Sequence, residues 1–188
     1  MADISLVAAP VLGEFHQDFA TSSLVERVDI ALISVAIPRE GEVALAQGIS
    51  ERWALAIPQP TTITEVNGLR AIPFTADQFL LAFTPEKERS EAAVQSDLEG
   101  LAYTTVQTDA WVILELSGKG AIAALERICP LDLASESFPP QSAARTVLEH
   151  LGVLIVRLAG DRFWLMSARS SAASLLHAVE TSCRWSAP

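Results

Sequence analysis

The chain has 188 residues, half of them apolar, which suits one domain or two small halves that share a core. Its formal net charge is −10, and its thirteen Lys and Arg residues form no basic stripe, which argues against binding to nucleic acid or anionic membranes. The mean hydropathy of +0.32 is high for an acidic soluble protein, so we expect a larger partner to cover an apolar face.

The N-terminal stretch predicts neither a membrane helix nor a secretion signal. No apolar run in the chain reaches the ~18 residues that span a bilayer, and the opening MADISLVAAPVLGEFHQDF contains no Lys or Arg. We therefore expect a cytoplasmic protein. Because Pro10 and Gly13 break any helix and no periodicity is visible, residues 1–26 are predicted to be an arm ordered by its neighbours.

Residues 27–107 predict a first α/β half. The run Val28–Ile37 is mostly apolar and rich in β-branched residues, which is typical of a buried strand. Over Glu40–Leu55 large apolar residues recur every four positions, which predicts a helix. Two short strands are predicted over residues 69–74 and 77–83.

The second helix of this half is predicted to begin at Thr84-Pro85-Glu86. Thr84 would be the N-cap and Pro85 would occupy the first turn, followed by acidic residues. The inner stripe of this helix is predicted to contain Val94, Leu98 and Leu101.

Residues 108–188 repeat this plan and predict a second half. The first predicted elements are a strand over Trp111–Leu116 and a helix opened by Ser117-Gly118, with Ile122, Leu125 and Cys129 inward, which Pro130 stops. Three strands follow over 144–149, 152–158 and 162–167, with turns at Gly152 and Ala159-Gly160-Asp161, and Ser170 caps a last helix.

The two halves also echo one another in sequence. DQFLL, which begins at Asp77, precedes one helix, and DRFWL, which begins at Asp161, precedes another. Each strand–helix–strand–strand–helix unit leaves one sheet face open, and two such units can bury those faces together. The predicted fold class is α+β, built from two such units in one compact body.

The three histidines do not predict a metal site. None of His16, His150 and His177 has a His, Cys, Asp or Glu partner at a ligand spacing. The two cysteines, Cys129 and Cys183, lie far apart on inward helix positions, so they are interpreted as small buried apolar residues.

Three further segments have structural explanations. SARSSAAS lacks a G-x-S-x-G elbow, so Ser170 and Ser171 are interpreted as helix caps. Gly118-Lys119-Gly120 meets only part of a phosphate-loop motif and predicts a tight strand-to-helix turn whose helix start could hold an anion weakly. ALERICPLDL, which begins at Ala124, is interpreted as a helix terminus rather than an active site.

Landmarks in the second half resemble one known family in their order. They are L-S-G at 116–118, a helix ending in C-P-L-D-L at 129–133, F-P-P at 138–140, an A-R-T strand at 144–146, a D-x-F-x-L strand from Asp161 and R-S-x-A at 169–172. This ordered set resembles the gamma subunit of heterotetrameric sarcosine oxidase, and the match is best over residues 75–182. The family's usual R-S-F-A is R-S-S-A here.

The resemblance implies a small subunit of a flavin-dependent complex that oxidatively demethylates sarcosine or a related N-methyl amino acid. The partners would be alpha, beta and delta subunits. FAD, FMN, NAD, tetrahydrofolate and zinc would be bound by those subunits and not by this chain. The implied fold is that of the folate-binding domain of aminomethyltransferases, including the T-protein of the glycine cleavage system.

One departure from the aminomethyltransferase pattern bears on catalysis. Those enzymes carry an Asp-x-Ser-His type motif before the L-S-G strand, and its Asp serves folate chemistry. If Thr108 takes the Ser place, Val106 takes the Asp place, and an apolar side chain cannot hold charge. Asp109 is three positions away and is predicted to face the other side of the strand. We therefore predict no catalytic, cofactor-binding or metal-binding residue.

Functions of three classes stay open on these residues. The first is a non-catalytic structural subunit whose N-terminal arm and exposed apolar side chains, Trp185 among them, contact the flavin-bearing subunit. The alternative is a free-standing tetrahydrofolate-binding or one-carbon transfer protein, which requires a carboxylate that faces a central cavity. An unrelated binding module is a third reading.

Overall fold

A computed structural model describes residues 9–186 of the chain. Within these residues no helix combines the length and apolarity needed to cross a membrane. The strands and helices, in chain order, are β1 (His16–Asp18), β2 (Ser23–Glu26), β3 (Ala31–Ala36), α1 (Glu42–Trp53), β4 (Thr64–Val66), β5 (Leu69–Thr75), β6 (Gln78–Phe83), α2 (Glu91–Asp97), β7 (Tyr103–Val106), β8 (Trp111–Ser117), α3 (Ala121–Glu126), β9 (Ser142–Leu148), β10 (Leu151–Ala159), β11 (Arg162–Ala168) and α4 (Ala172–Trp185), with 3-10 turns at Thr108–Ala110 and Arg169–Ser171.

The strands form two antiparallel sheets that pack against each other. One sheet has the order β1-β2-β8-β11-β10-β9 and the other has the order β4-β5-β6-β3-β7. Their facing sides share one apolar cluster, called here the inner core, which contains Ile30, Leu32, Ile63, Ile72, Leu80, Ala82, Ile113, Ala143, Leu154, Val156, Trp164 and Met166. Helices α3 and α4 cover the outer face of the six-stranded sheet, and α1 and α2 cover that of the five-stranded sheet. The result is a four-layer α+β body, which confirms the predicted class.

The long apolar segments fold as their patterns predict. The run at 28–37 contains β3, and Leu45 and Ile49 are buried on the inward side of α1. The predicted strands of the second half correspond to β8, β9, β10 and β11. Side chains of these strands point alternately into the inner core and into the core beneath α3 and α4, on opposite faces of the six-stranded sheet. Both faces are buried, which explains why these segments are almost continuously apolar.

The predicted start of the second helix is wrong. Helix α2 begins at Glu91, and the Ser90 side chain caps it by accepting a hydrogen bond of 3.2 Å from the Ala93 amide. The upstream signal at Thr84-Pro85-Glu86 instead enters a tight turn, in which Glu86 and Arg89 exchange two backbone hydrogen bonds. A Pro after a Thr is also typical of a turn, so the local sequence does not distinguish a turn from the start of a helix.

The predicted turn at Gly152 is also misplaced. Strands β9 and β10 are joined at Glu149-His150, where Glu149 adopts a positive φ of 54°, and Gly152 lies inside β10. Four short strands, β1, β2, β4 and β7, were not predicted. Each has only three or four residues, too few for an alternating pattern to be visible.

The segment predicted to be an arm adds two strands to the second half's sheet. Strand β2 pairs with β8, and β1 pairs with β2. The buried Glu26 carboxylate holds the preceding loop by accepting hydrogen bonds from the Leu12 amide at 3.0 Å and the Glu14 amide at 2.9 Å. Residues 1–8 lie outside the described part of the chain, and the division into 1–26, 27–107 and 108–188 stays a prediction.

A buried arginine joins the loop after α3 to the six-stranded sheet. Arg157 of β10 is 1% exposed, and its guanidinium donates to the carbonyl oxygens of Leu133 at 2.9 Å, Phe138 at 2.5 Å and Gly160 at 2.5 Å. It also lies over the Phe163 ring, 5.2 Å from the centroid. Because buried carbonyl groups need donors, this one side chain holds the loop against the β10–β11 hairpin.

We expect Arg157→Met to lower the free energy of unfolding by roughly 3 kcal/mol, because several buried carbonyl groups lose a charged donor at once. Urea unfolding measures this loss, and hydrogen exchange should show faster amide exchange across residues 131–140. Arg127→Met is the matched control, because Arg127 is exposed at the end of α3. Equal unfolding energies for the two variants would contradict the proposed role.

Candidate functional site

The three histidines lie on separate exposed parts of the surface. His16 is on β1, 3.4 Å from a carboxylate oxygen of Asp18, His150 is in the β9–β10 turn, and His177 is on α4. Among residues 9–186 no group of three His, Cys, Asp or Glu side chains could hold a metal ion. The fold therefore does not bring the histidines together.

Both cysteines are buried in the helix-side core of the six-stranded sheet, as predicted. Cys129 is 7% exposed and Cys183 is 2% exposed. Burial raises the pKa of the Cys183 thiol, which lowers the fraction of reactive thiolate at neutral pH.

The predicted cap at Ser170 is wrong, because Ser170 lies in a 3-10 turn and α4 begins at Ala172. Ser171 takes the N-cap position without a side-chain capping bond.

The Gly-Lys-Gly segment is a close-packed turn. Gly118 has a φ of 106°, and a Cβ atom there would lie 2.6 Å from the carbonyl oxygen of Thr21. The Gly120 amide donates to that same oxygen at 2.9 Å. Both glycines are therefore explained by the close approach of the N-terminal segment, and α3, with six residues, is only a short helix.

ALERICPLDL is a helix terminus followed by a capped loop. Helix α3 ends at Glu126, whose side chain is exposed, and Cys129 and Leu133 are buried beneath the turn that follows. The Asp132 carboxylate accepts hydrogen bonds from the Ala134 amide at 3.0 Å and the Ser137 hydroxyl at 2.5 Å. These bonds organise the loop that Arg157 holds.

The position that corresponds to the aminomethyltransferase Asp lies at a sheet edge. Val106 is the last residue of β7 and is 41% exposed. The Thr108 hydroxyl accepts a hydrogen bond from the Leu32 amide at 2.9 Å and also contacts Glu91. Asp109 is exposed in the 3-10 turn, so the predicted opposite-face strand geometry is wrong for it.

A cluster of ionisable groups that the sequence reasoning missed surrounds Glu115. This carboxylate accepts hydrogen bonds from Arg27 Nη1 at 2.5 Å, from Arg162 Nε at 2.8 Å and from Trp164 Nε1 at 2.9 Å. Arg27 also forms a two-point pair with Asp29, at 2.8 and 2.7 Å. We call Arg27, Asp29, Glu115, Arg162 and Trp164 the Glu115 cluster.

The Glu115 cluster closes one end of the inner core. The Trp164 ring is 1% exposed, and the Arg70 guanidinium of the five-stranded sheet lies over it, 5.0 Å from the centroid. Arg27 lies 5.7 Å from the same ring. Stacking of guanidinium groups on an indole is favourable, so this ring joins charged groups from both sheets.

A polar groove of about 250 Å³ opens above this cluster. Its walls include Arg89, whose Nη1 donates to the Asn67 carbonyl oxygen at 2.9 Å. Two carboxylates beside the groove are ion-paired, Glu65 with Arg70 and Glu115 with Arg27 and Arg162, whereas the carboxylate that lines the groove, Glu86, is exposed. An ion-paired carboxylate is a poor general base at neutral pH. Glu65 and Glu115 are therefore better suited to a structural role than to proton transfer.

Known proteins resemble this chain in both sequence and structure. The chain is 28% identical over 167 residues to sarcosine oxidase subunit gamma from Corynebacterium sp. (strain P-1), covering 85% of this chain and 80% of that protein. The chain is similar to a sarcosine oxidase gamma subunit. The resemblance predicted from the ordered landmarks is thereby confirmed, although no family model matches.

Two solved structures show the same fold. A chain of the heterotetrameric sarcosine oxidase from Corynebacterium sp. U-96, in complex with pyrrole 2-carboxylate, matches with a TM-score of 0.77 and 21% identity, covering 89% of this chain and 86% of that one. Aminomethyltransferase T of the glycine cleavage system from Bartonella henselae matches with a TM-score of 0.63 and 17% identity, over 88% of this chain and 47% of that enzyme. The predicted aminomethyltransferase-like fold is therefore confirmed.

Charge pairing sets the protonation of the Glu115 cluster. Burial by itself raises the pKa of Glu115, but hydrogen bonds from Arg162, Trp164 and Arg27 outweigh it, and the net pKa is lowered from 4.5. The Arg27 guanidinium likewise lowers the pKa of Asp29. A carboxyl group whose pKa is lowered by folding stabilises the native state above its unfolded pKa, and that contribution is lost as pH falls through the folded pKa.

We expect Glu115→Gln to lower the free energy of unfolding by roughly 2 kcal/mol at pH 7, because two arginines lose their shared partner in a half-buried site, where solvent screens part of the loss. The difference from wild type should shrink as the pH falls below about 4.5, the unfolded value, since the wild-type carboxylate then becomes protonated as well. Chemical denaturation at a series of pH values measures both effects.

Glu65→Gln is the matched control for this experiment. Glu65 is more exposed than Glu115 and contacts the single guanidinium of Arg70, so its loss should cost about 1 kcal/mol or less. A Glu115→Gln difference that stayed constant down to about pH 2 would contradict the linkage argument.

Proposed function

We propose that this chain is a non-catalytic gamma-type subunit of a heterotetrameric sarcosine oxidase-like complex. The complex would oxidatively demethylate sarcosine or a related N-methyl amino acid. The observation that supports this most directly is the 28% identity to a sarcosine oxidase gamma subunit over 85% of the chain. The likeness to a chain of a heterotetrameric sarcosine oxidase shows a common fold and is consistent with the proposal.

The chemistry of the described residues supports a role without catalysis. In the Glu115 cluster both carboxylates are paired with guanidinium groups, and Arg70 of the five-stranded sheet stacks on the Trp164 ring of the cluster. The position that would hold the folate-serving Asp of the aminomethyltransferases is Val106, at a sheet edge. The chain would therefore contribute packing surface to the complex, and its partners would contribute the reacting groups.

The proposed partners are the alpha, beta and delta subunits of such a complex. FAD, FMN, NAD, tetrahydrofolate and zinc would be bound by these subunits, and the complex would be cytoplasmic. Exposed apolar side chains are candidate contacts for them, in particular Trp185, which is 72% exposed at the end of α4, and Tyr103, which is 74% exposed. Aromatic side chains that become buried often dominate the binding free energy of an interface.

Co-expression tests the proposal directly. We expect the tagged chain to purify with flavin-bearing subunits, and the purified complex to form hydrogen peroxide when sarcosine is added. The isolated chain should neither oxidise sarcosine nor release heat when titrated with tetrahydrofolate. Turnover of sarcosine by the isolated chain would overturn the proposal, and tight folate binding would favour a free-standing folate protein instead.

Trp185→Glu should weaken association with the partner subunits by roughly tenfold or more, because the indole that the interface would bury is replaced by a charge. Binding of the purified chain to the remaining subunits, measured by interferometry, gives the dissociation constant. His177→Glu is the matched control, because it adds a carboxylate to an exposed position of the same helix. Equal affinities for the two variants would exclude Trp185 from the interface.

A further inference from the structure

Strand β7 is an open edge of the five-stranded sheet. It is the last strand in the order β4-β5-β6-β3-β7 and pairs with β3 through the register Ile33↔Val106 to Ala36↔Tyr103. Among residues 9–186 no strand pairs with its other side. An open edge carries backbone donors and acceptors that another strand can use.

The hydrogen-bond pattern shows which backbone groups of β7 point outward. The Gln107 amide donates to the Leu32 carbonyl oxygen at 2.7 Å, which makes this a hydrogen-bonded pair of the ladder. Such pairs alternate in antiparallel sheets, so Tyr103 and Thr105 bond to β3. The N–H and C=O groups of Thr104 and Val106 consequently point away from the sheet.

The bonding on the other side of β3 agrees with this assignment. The Ile37 amide donates to the Asp77 carbonyl oxygen at 2.9 Å, which extends the β3–β6 ladder by one hydrogen-bonded pair. Odd-numbered residues of β3 therefore bond to β6, which leaves the even-numbered residues to bond to β7.

Strand β7 lacks the features that protect sheet edges in soluble proteins. The missing features are charged side chains and Pro, since β7 is itself short, with four residues. Residues 102–107, Ala-Tyr-Thr-Thr-Val-Gln, contain no charge, Pro or Gly. The side chain of Tyr103 is 74% exposed and that of Val106 is 41% exposed. The edge thus offers an uncharged surface with two apolar side chains beside free backbone groups.

The other described edge strands, unlike β7, carry charged side chains. Strand β1 has three residues, two of which are His16 and Asp18, and β4 has three residues that include Glu65. Strand β9 carries the exposed Arg145, and its first residue is bridged by Thr62. Compared with these, β7 is the edge best suited to accept another strand.

The charges around β7 favour a different polypeptide over a second copy of this chain. Glu99 lines a shallow depression together with Tyr103, and Asp109 is exposed just beyond the strand. Two copies, each with a formal net charge of −10, would bring these carboxylates together. A strand flanked by Lys or Arg would instead be attracted.

We infer that β7 accepts an extended, uncharged segment of a partner subunit, flanked by basic residues, which adds a sixth strand to the five-stranded sheet. Backbone bonds to Thr104 and Val106 would provide affinity, and contact with Tyr103 would contribute to specificity. The inference rests on the proposed function, because it identifies where a partner subunit of that complex docks.

Val106→Pro tests the inference at the backbone. Proline removes the outward N–H and blocks close approach, while the bonds to β3 come from neighbouring residues and are retained, as at other edge positions. We expect an unchanged circular dichroism spectrum and an association with the partner subunits at least about tenfold weaker. Val106→Thr is the matched control, because it keeps the amide and a branched side chain and should bind as wild type does.

A second variant and a second measurement cover the case in which the proline disturbs folding. Thr105→Lys leaves the backbone intact, places a charge at the exposed edge and should also weaken association. Hydrogen exchange should show that the Thr104 and Val106 amides exchange fast in the free chain and slowly in the complex. The Thr105 amide should be protected in both.

The outcomes separate this inference from the proposed function. Association of folded Val106→Pro and Thr105→Lys at wild-type strength, or fast exchange at Thr104 and Val106 in the complex, would overturn the inference and leave the proposed function standing. A homodimer of the isolated chain that Val106→Pro abolishes would replace the partner strand with a second copy. Failure of the wild-type chain to associate with any flavin-bearing subunit would overturn both.

Discussion

Burial of two sheet faces against each other is the constraint on which the rest of this structure depends. Each strand–helix unit covers one face of its sheet with its own helices and leaves the other face apolar and open. Packing these faces together buries the Trp164 side chain and its neighbours in the inner core. Apolar area removed from water in this way provides the main stabilising contribution to a domain of this size.

The rim of the inner core must satisfy polar groups that cannot enter it. Glu115 lies on an otherwise apolar strand and accepts hydrogen bonds from Arg27 and Arg162 at the point where the two sheets meet. Arg70 reaches across from the other sheet to stack on Trp164. Carboxylates held in such pairs contribute to structure and are poorly suited to act as bases, which is consistent with a subunit that supports the chemistry of its partners.

The sequence predicted the long elements better than the short ones. The strands in the long runs, such as β3, are mostly buried, so their residues are apolar whichever elements pack against them. The cap signals at Thr84 and Ser170 failed, because a turn, a 3-10 segment and a helix begin with similar residues. The edge strands β1, β4 and β7 carry too few residues for a periodic pattern, and they form because a longer strand lies beside them.

By itself, the sequence determined the α+β class, the buried positions of both cysteines and the resemblance to the gamma subunit, since each depends on local pattern or on the order of landmarks along the chain. The tertiary structure alone decided the Glu115 cluster and the open edge at β7. Arg27 and Glu115 are 88 residues apart in the chain, and their contact exists only after β2 has paired with β8. Similarly, whether the N–H of Val106 faces a neighbour or solvent depends on strand order and register, which arise from packing across the whole fold.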